Sequence, residues 1–320
     1  MKRILLFIFF FAVLSSFAAN NYSLVYAQTI EASDSANSPL LPTLPTLFPT
    51  ITPTPSSSAP FPILNKLNEL ATPSPTLTPT ASISGIPAQD IVASGSAQDY
   101  CLNVPVILYH HTEPLEIAAQ LGHAPLTEDS TYFEEHIHYL SQHGYHFLPL
   151  DELVHAILTR ENLPPKSVVI TIDDGYIDAY TYAFLMAKKY HAIINFMVPT
   201  GLVGQPDYMT WDHLKEMVAS PYARIYNHTT THAALGLISQ DQIIQEVTTA
   251  NQDLKNNLGI NNNIVIYPYG NYNDLAIQTV KQLGMIAAVS TDPGTDECLS
   301  NIYKLPRVRV GNEPIEDYGY

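Results

Sequence analysis

Three short stretches of this 320-residue chain hold side chains whose types and spacing suit chemistry. The first is Ile170-Thr171-Ile172-Asp173-Asp174-Gly175-Tyr176, where two adjacent carboxylates leave an apolar run. Adjacent side chains on extended backbone point opposite ways. A turn at Asp173-Asp174, eased by Gly175, would instead bring both into one pocket, one to ligate a metal and the other to stay free as a base. The same residues also fit an Asx-type turn that caps the next helix. The second stretch is Asn227-His228-Thr229-Thr230-Thr231-His232. Two imidazoles at i and i+4 share one face of a helical turn and could converge on one cation; in a chain with 12 histidines they could equally be two surface residues. The third is Tyr267-Pro268-Tyr269-Gly270-Asn271-Tyr272-Asn273, where Pro and Gly shape a turn and Tyr rings offer flat apolar faces with polar tips, suited to sugar rings or to an ordinary aromatic loop. One Asp with two His makes a three-ligand site with positions open for water and substrate.

Such side chains need a scaffold that delivers them to one place. From residue 101 onward, apolar strand-like runs alternate with helix-like stretches. Strands are expected at 104–109, 167–172, 193–198, 224–226, 264–267, 286–289 and 305–310. Helices are expected at 131–143, opened by a Thr131-to-Glu134 capping box and stopped by Gly144, and at 150–159, 177–189, 211–219, 239–257 and 273–283. This alternation implies a parallel sheet, open or closed into a barrel. In either form ligands gather at the carboxyl ends of strands, and all three stretches follow a strand.

The first hundred residues are different material. Lys2 and Arg3 precede an almost unbroken apolar run to Ala18, and Val25-Tyr26-Ala27 reads as a cleavage site before Gln28. Residues 1–27 are thus expected to be a signal peptide, with an uncleaved anchor as the alternative, and the remainder is expected to be exported. Residues 28–100 hold 12 of the 25 prolines, which exclude helix interiors and central strands, so an extended Pro/Thr/Ser-rich disordered linker is expected, with one short amphipathic helix possible at 61–71. The net charge of −16 argues against nucleic acid or an anionic membrane surface as partner, because both need a basic face. Two cysteines exclude a disulfide-dense scaffold and a four-thiolate zinc site.

The order Asp173-Asp174-Gly175, His228-Thr229-x-x-His232, then Pro268-Tyr269-Gly270 resembles the polysaccharide deacetylases with a NodB-homology domain, carbohydrate esterase family 4. The opening strand VPVILYHHTEP and the segments MTWDHLKEM and YPYGNYN are similar to the poly-N-acetylglucosamine deacetylase subgroup. The resemblance covers about residues 101–310 and implies a distorted (β/α)7-type barrel in a catalytic domain of residues 101–320. It implies a divalent metal, most often Zn2+, with Asp174, His228 and His232 as ligands, Asp173 as base and the Tyr269 backbone N–H as oxyanion donor. Tyr267, Pro268, Gly270, Tyr272 and Trp211 are the candidate substrate-contacting residues.

Two departures from the family pattern matter. Tyr267 stands where many members have an Arg that orients the base. The stretch Lys304-Leu305-Pro306-Arg307-Val308-Arg309 lacks the late His that supplies the acid, and His232 is the last histidine in the chain. His110 and His111, at the end of the first strand, become the candidates for the acid, His110 ahead. Cys101 and Cys298 precede strands that are neighbours in a barrel, so they form either a disulfide or two buried free thiols. The expected activity is a secreted, monomeric, metal-dependent hydrolysis of N-acetyl groups on an N-acetylglucosamine glycan near a cell wall or extracellular matrix. An O-acetyl xylan-type esterase and a catalytically inactive glycan-binding protein are the alternatives.

Overall fold

The computed structural model describes residues 99–320. The expected signal peptide, the candidate helix at 61–71 and all but the last two residues of the expected linker lie outside the described residues. Those last two belong to the domain: Asp99 accepts the Ser300 N–H at 3.0 Å and the Tyr100 hydroxyl donates to the Glu161 carbonyl at 2.7 Å.

In chain order the elements are β1 (Cys101–Asn103), β2 (Val106–Tyr109), α1 (Leu115–Leu121), α2 (Ser130–Gln142), β3 (His146–Phe147), α3 (Leu150–Thr159), β4 (Ser167–Ile172), α4 (Phe184–Tyr190) and β5 (Ile194–Val198). There follow α5 (Trp211–Val218), β6 (Ala223–Asn227), α6 (Gln240–Leu258), β7 (Ile264–Ile266), α7 (Asp274–Gln282), β8 (Ala287–Pro293), β9 (Asp296–Cys298) and β10 (Leu305–Arg309). Strands β2, β4, β5, β6, β7, β8 and β10 pair in that order, all parallel, and β10 returns to β2. Closure through Val308↔Ile107 on one side of β2 and Val106↔Val169 on the other makes a seven-stranded (β/α)7-type barrel. The two-residue β3 attaches only to the outer start of β4.

Full burial of both strand faces explains the unbroken apolar runs: every residue of β2, β4, β5 and β7 is buried. The helices cover the outside with stripes at helical spacing. In α6 the stripe is Ile243, Val247, Ala250 and Leu254. Each fully buried large side chain of this kind contributes roughly 1.5–3 kcal/mol.

Local signals mostly land where expected, with two exceptions. The cap of α2 is Asp129, whose carboxylate accepts the Thr131 N–H at 2.8 Å and the Leu115 N–H at 2.9 Å. Thr131 lies inside the helix, because an ionised acceptor one position before the first turn outcompetes a hydroxyl and also ties α1 to α2. The stretch expected as one helix over 177–189 is helical throughout, but five of its residues, Ala179–Ala183, wind as a π-helical segment before α4.

Outside the barrel, β1 and β9 form a two-stranded antiparallel sheet that sets Cys101 opposite Cys298, and a disulfide joins them. It spans a sequence separation of 197 residues. On the chain-entropy account a loop of that length stabilises by about 5 kcal/mol before any strain. Reduction, or replacement of both cysteines by serine, is expected to lower the melting temperature by about 10–20 °C, at roughly 2–4 °C per kcal/mol for a domain of this size. A melt indifferent to reductant contradicts that role.

Candidate functional site

Four strand exits build the site. At the end of β4 the chain turns sharply, with Asp174 at φ 73° and Gly175 at φ 71°. A left-handed Asp is uncommon outside turns. Here it sends the two carboxylates to different partners. Asp173 meets Arg307 of β10 in a buried two-pronged pair, with both guanidinium nitrogens 2.7 Å from the two carboxylate oxygens. Arg307 is itself held by its Nε donating to the Ser290 carbonyl at 2.7 Å. Burial pushes the Asp173 carboxyl up, but the adjacent Arg307 charge overrides it and holds Asp173 below the usual carboxylate range. Asp173 is therefore favoured in its ionised form, oriented and walled in.

Asp174 faces the two histidines. Its Oδ1 lies 3.2 Å from His228 Nε2 and 2.9 Å from His232 Nε2. Burial again pushes this carboxyl up, and the two imidazoles more than offset it, so its pKa is lowered. His228 Nδ1 donates to the Ile266 carbonyl at 3.0 Å, which leaves the lone pair on Nε2, the atom turned toward Asp174.

The histidines do not share a helical turn, as their spacing implies. Residues 228–234 form an irregular loop with Thr229 at φ 67° and His232 at φ 61°. Glu246 of α6 holds this loop: its carboxylate accepts the Thr230 and Thr231 N–H groups at 2.9 and 2.8 Å and the Thr231 hydroxyl at 2.7 Å. Side-chain acceptors replace the helical ladder, and the two imidazoles still converge. Asn227, the last residue of β6, is buried with its amide donating to Val247 and Asn251, so the Asn227-His228-Thr229 sequon is out of reach of a glycan.

The Asp174, His228 and His232 ligand atoms lie within 4.8 Å of one another. His232 Nε2 is buried, and although it is close to Asp174 Oδ1 it makes no hydrogen bond. A buried carboxylate oxygen with one imidazole nitrogen at 3.2 Å and a second at 2.9 Å, all gathered at one point, is a donor set that fits a divalent cation.

The third stretch contributes one residue to the mouth. Tyr269 is 70% exposed, adopts φ 60°, and places its ring 4.5 Å from that of His232. The N–H groups of Gly270 and Asn271 turn back to the Tyr267 and Pro268 carbonyls, leaving the Tyr269 N–H out of that turn. Gly270 cannot be replaced: a Cβ there would sit 1.9 Å from the Thr291 hydroxyl. Tyr267 and Pro268 correct the expectation of substrate contact, because both are buried and the Tyr267 hydroxyl donates to the Tyr303 carbonyl at 3.1 Å. Their aromatic and pyrrolidine bulk serves the core beneath the loop. Tyr272 remains half-buried with its hydroxyl bonded to Asp292, and Trp211, at the start of α5, packs against the main apolar cluster. Among the described residues neither is hydrogen-bonded to the acid–imidazole cluster or ring-paired with its histidines.

The structure separates the two histidines that follow β2. The Asp173 N–H donates to the Tyr109 carbonyl at 3.0 Å, which sets His110 beside the carboxylate pair. Burial lowers the His110 pKa, against the pull of Asp173 and Asp174. His111 is buried and occupied elsewhere, its Nδ1 donating to Asp178 at 3.0 Å. Arg307 and Glu246 are the working residues that the sequence reading passed over. Arg307 had a visible signal: it alternates with Leu305 in a strand whose inward face must be buried. Glu246 had none, since its contacts lie 15–16 residues away along the chain.

Comparison with known proteins agrees with this geometry. Residues 160–288 match the family model for polysaccharide deacetylase. The protein YxkH of Bacillus subtilis (strain 168) is 29% identical over 208 residues, covering 65% of this chain and 71% of the relative. The poly-beta-1,6-N-acetyl-D-glucosamine N-deacetylase of Staphylococcus aureus (strain MSSA476) is 26% identical over 197 residues, 58% of this chain and 68% of the relative. Among solved structures, the Streptococcus pyogenes deacetylase PplD in complex with acetate superposes with a TM-score of 0.61 at 29% identity, covering 66% of this chain and 93% of that one. With its acid pair, its converging histidines and its closed barrel, the chain is similar to the polysaccharide deacetylases, whose family model matches residues 160–288.

Proposed function

We propose that this protein is a secreted, divalent-metal-dependent N-deacetylase of a polysaccharide containing N-acetylglucosamine. The observation that carries this reading is the pairing of two differently tuned carboxylates: Asp174 aimed with His228 and His232 at one point, and Asp173 held ionised beside it by Arg307. Asp174, His228 and His232 would hold the cation, and three protein ligands of nitrogen and oxygen with open positions suit Zn2+. When bound, such an ion polarises the acetyl carbonyl and acidifies water.

The remaining work falls to the chain's own groups. Asp173 takes the proton of the attacking water. The Tyr269 N–H donates to the oxygen that becomes negative as the carbonyl carbon turns tetrahedral. His110, in its protonated form, gives its proton to the leaving amine and is left as the neutral ring that its burial favours, while His111 is engaged by Asp178. The Tyr269 ring beside His232 offers a flat face for a sugar. The similarity to the Staphylococcus aureus poly-beta-1,6-N-acetyl-D-glucosamine N-deacetylase supports an N-acetylglucosamine polymer as substrate. The charged and apolar start of the chain supports export, with the Pro/Thr/Ser-rich stretch as a tether.

Acetate release from chitin, peptidoglycan, β-1,6-linked N-acetylglucosamine oligomers and acetylated xylan tests the reading. Release from an N-acetylglucosamine substrate, abolished by a chelator and restored by Zn2+, is expected. His110→Ala is expected to lower turnover by about 10²–10⁴-fold with metal content unchanged. Release from xylan alone, or release indifferent to chelation, overturns it.

A further inference from the structure

Beside the acid–imidazole cluster lies a second group of titratable side chains that the reaction does not use: His111, Glu113, His123 and Asp178. Ligand atoms of His111, Glu113 and His123 are close enough together to suggest an ion. The rings of His111 and His123, however, stack 4.1 Å apart within 10° of parallel. An imidazole lone pair lies in the plane of its ring, so two parallel rings cannot direct theirs to one ion. The nitrogens have partners instead. His123 Nδ1 is 2.8 Å from Glu113 Oε1, and His111 Nδ1 donates to Asp178 Oδ1 at 3.0 Å.

Asp178 spends its other oxygen on the backbone, where Oδ2 accepts the Thr112 N–H at 2.7 Å. One buried carboxylate thus grips both residues that follow His110. The grip is reinforced from two sides. Tyr176 stacks on the other face of His111 at 3.8 Å. The His111 N–H donates to the Leu126 carbonyl at 3.2 Å, and its own carbonyl accepts the Glu128 N–H at 3.1 Å. Among the described residues the His110 side chain makes no hydrogen bond of its own, so its direction is inherited from this backbone.

We propose that Asp178 is a positioning residue for the deacetylation: through His111 and the Thr112 amide it fixes the strand exit that aims His110 at the Asp173–Asp174 pair. The proposal rests on the reading of His110 as the acid. A proton donor displaced by about 1 Å loses roughly 10²-fold in rate while ground-state binding of the glycan is little changed. Buried polar support of this kind acts without touching substrate or metal.

Acetate release from an N-acetylglucosamine oligomer by the zinc-loaded protein, in a double-mutant cycle, tests it. Asp178→Asn is expected to lower kcat by about 10²-fold, with KM and metal content within about twofold of the wild type. His111→Phe, which keeps the ring stack but removes the Nδ1 donor, is expected to reproduce the effect and covers the case in which the first variant fails to fold. In a His110→Ala background Asp178→Asn is expected to add less than about a twofold further loss, because its target is gone. Multiplying losses in the double variant, or a rise in KM or loss of metal in Asp178→Asn, overturn the positioning role and leave the acid assignment standing. A His110→Ala protein with undiminished rate, or a wild type inert on the oligomer, overturns the underlying reading and this proposal with it.

Discussion

Asp173→Asn is expected to cut acetate release by about 10²–10⁴-fold while the protein still binds its metal. The substitution keeps the shape of the side chain and one oxygen for Arg307, but an amide cannot accept a proton from water at neutral pH. Asp174, His228 and His232 are untouched, so metal content measured on the purified variant should match the wild type. The variant also leaves the buried Arg307 charge without its counter-charge, so some loss of thermal stability should accompany the loss of rate. A rate within threefold of wild type would assign the base elsewhere.

Arg307→Met has a different signature, because it removes the partner rather than the base. The guanidinium fork binds both oxygens of Asp173 at 2.7 Å, deep in the barrel. Taking away one member of a buried pair costs about 3–5 kcal/mol, chiefly for the carboxylate left behind. The pH dependence follows from the sign of the shift. Asp173 is held below its ordinary value in the folded protein, so its contribution to stability is present above the unfolded carboxylate pKa and is lost as pH falls through the folded value. Without Arg307, burial dominates and the Asp173 pKa rises. The acid limb of the rate profile is then expected to move to higher pH, and the stability gained by ionising Asp173 to shrink or reverse. Arg307→Lys should fall between the two, because a single ammonium cannot serve both oxygens at once. An acid limb that stays in place in Arg307→Met would mean that Arg307 does not tune the base.

Arg307 also accounts for the most visible anomaly in the sequence. The aromatic Tyr267 occupies the place where an orienting Arg is expected, and the structure buries it as a core residue whose hydroxyl caps the Tyr303 carbonyl. The orienting charge comes from the last strand instead. Because the barrel closes, β10 lies between β8 and β2 and faces the exit of β4 across the interior. The same closure lets β2 supply a histidine to a site that has none near the end of the chain. Strand exits distant in sequence are interchangeable suppliers of side chains around a closed barrel.

What the sequence determined by itself was local. Apolar runs bounded by turn residues located β4, β5 and β7 to within a residue, because strands buried on both faces need unbroken apolar side chains. The helix-like stretches 150–159 and 239–257 located α3 and α6 to within a residue. The identities of Asp173, Asp174, His228 and His232 already marked a candidate cluster of carboxylate and imidazole donors, beside the alternatives of an Asx turn and surface histidines. The tertiary structure decided the rest: that Arg307 pairs with Asp173 across 134 residues, that Glu246 and not a helical turn presents the histidines, that Asp178 engages His111, and that Tyr267 is core. Each depends on a contact between segments far apart in the chain. Residue spacing along one segment carries no record of which distant strand exit a closed barrel brings opposite it.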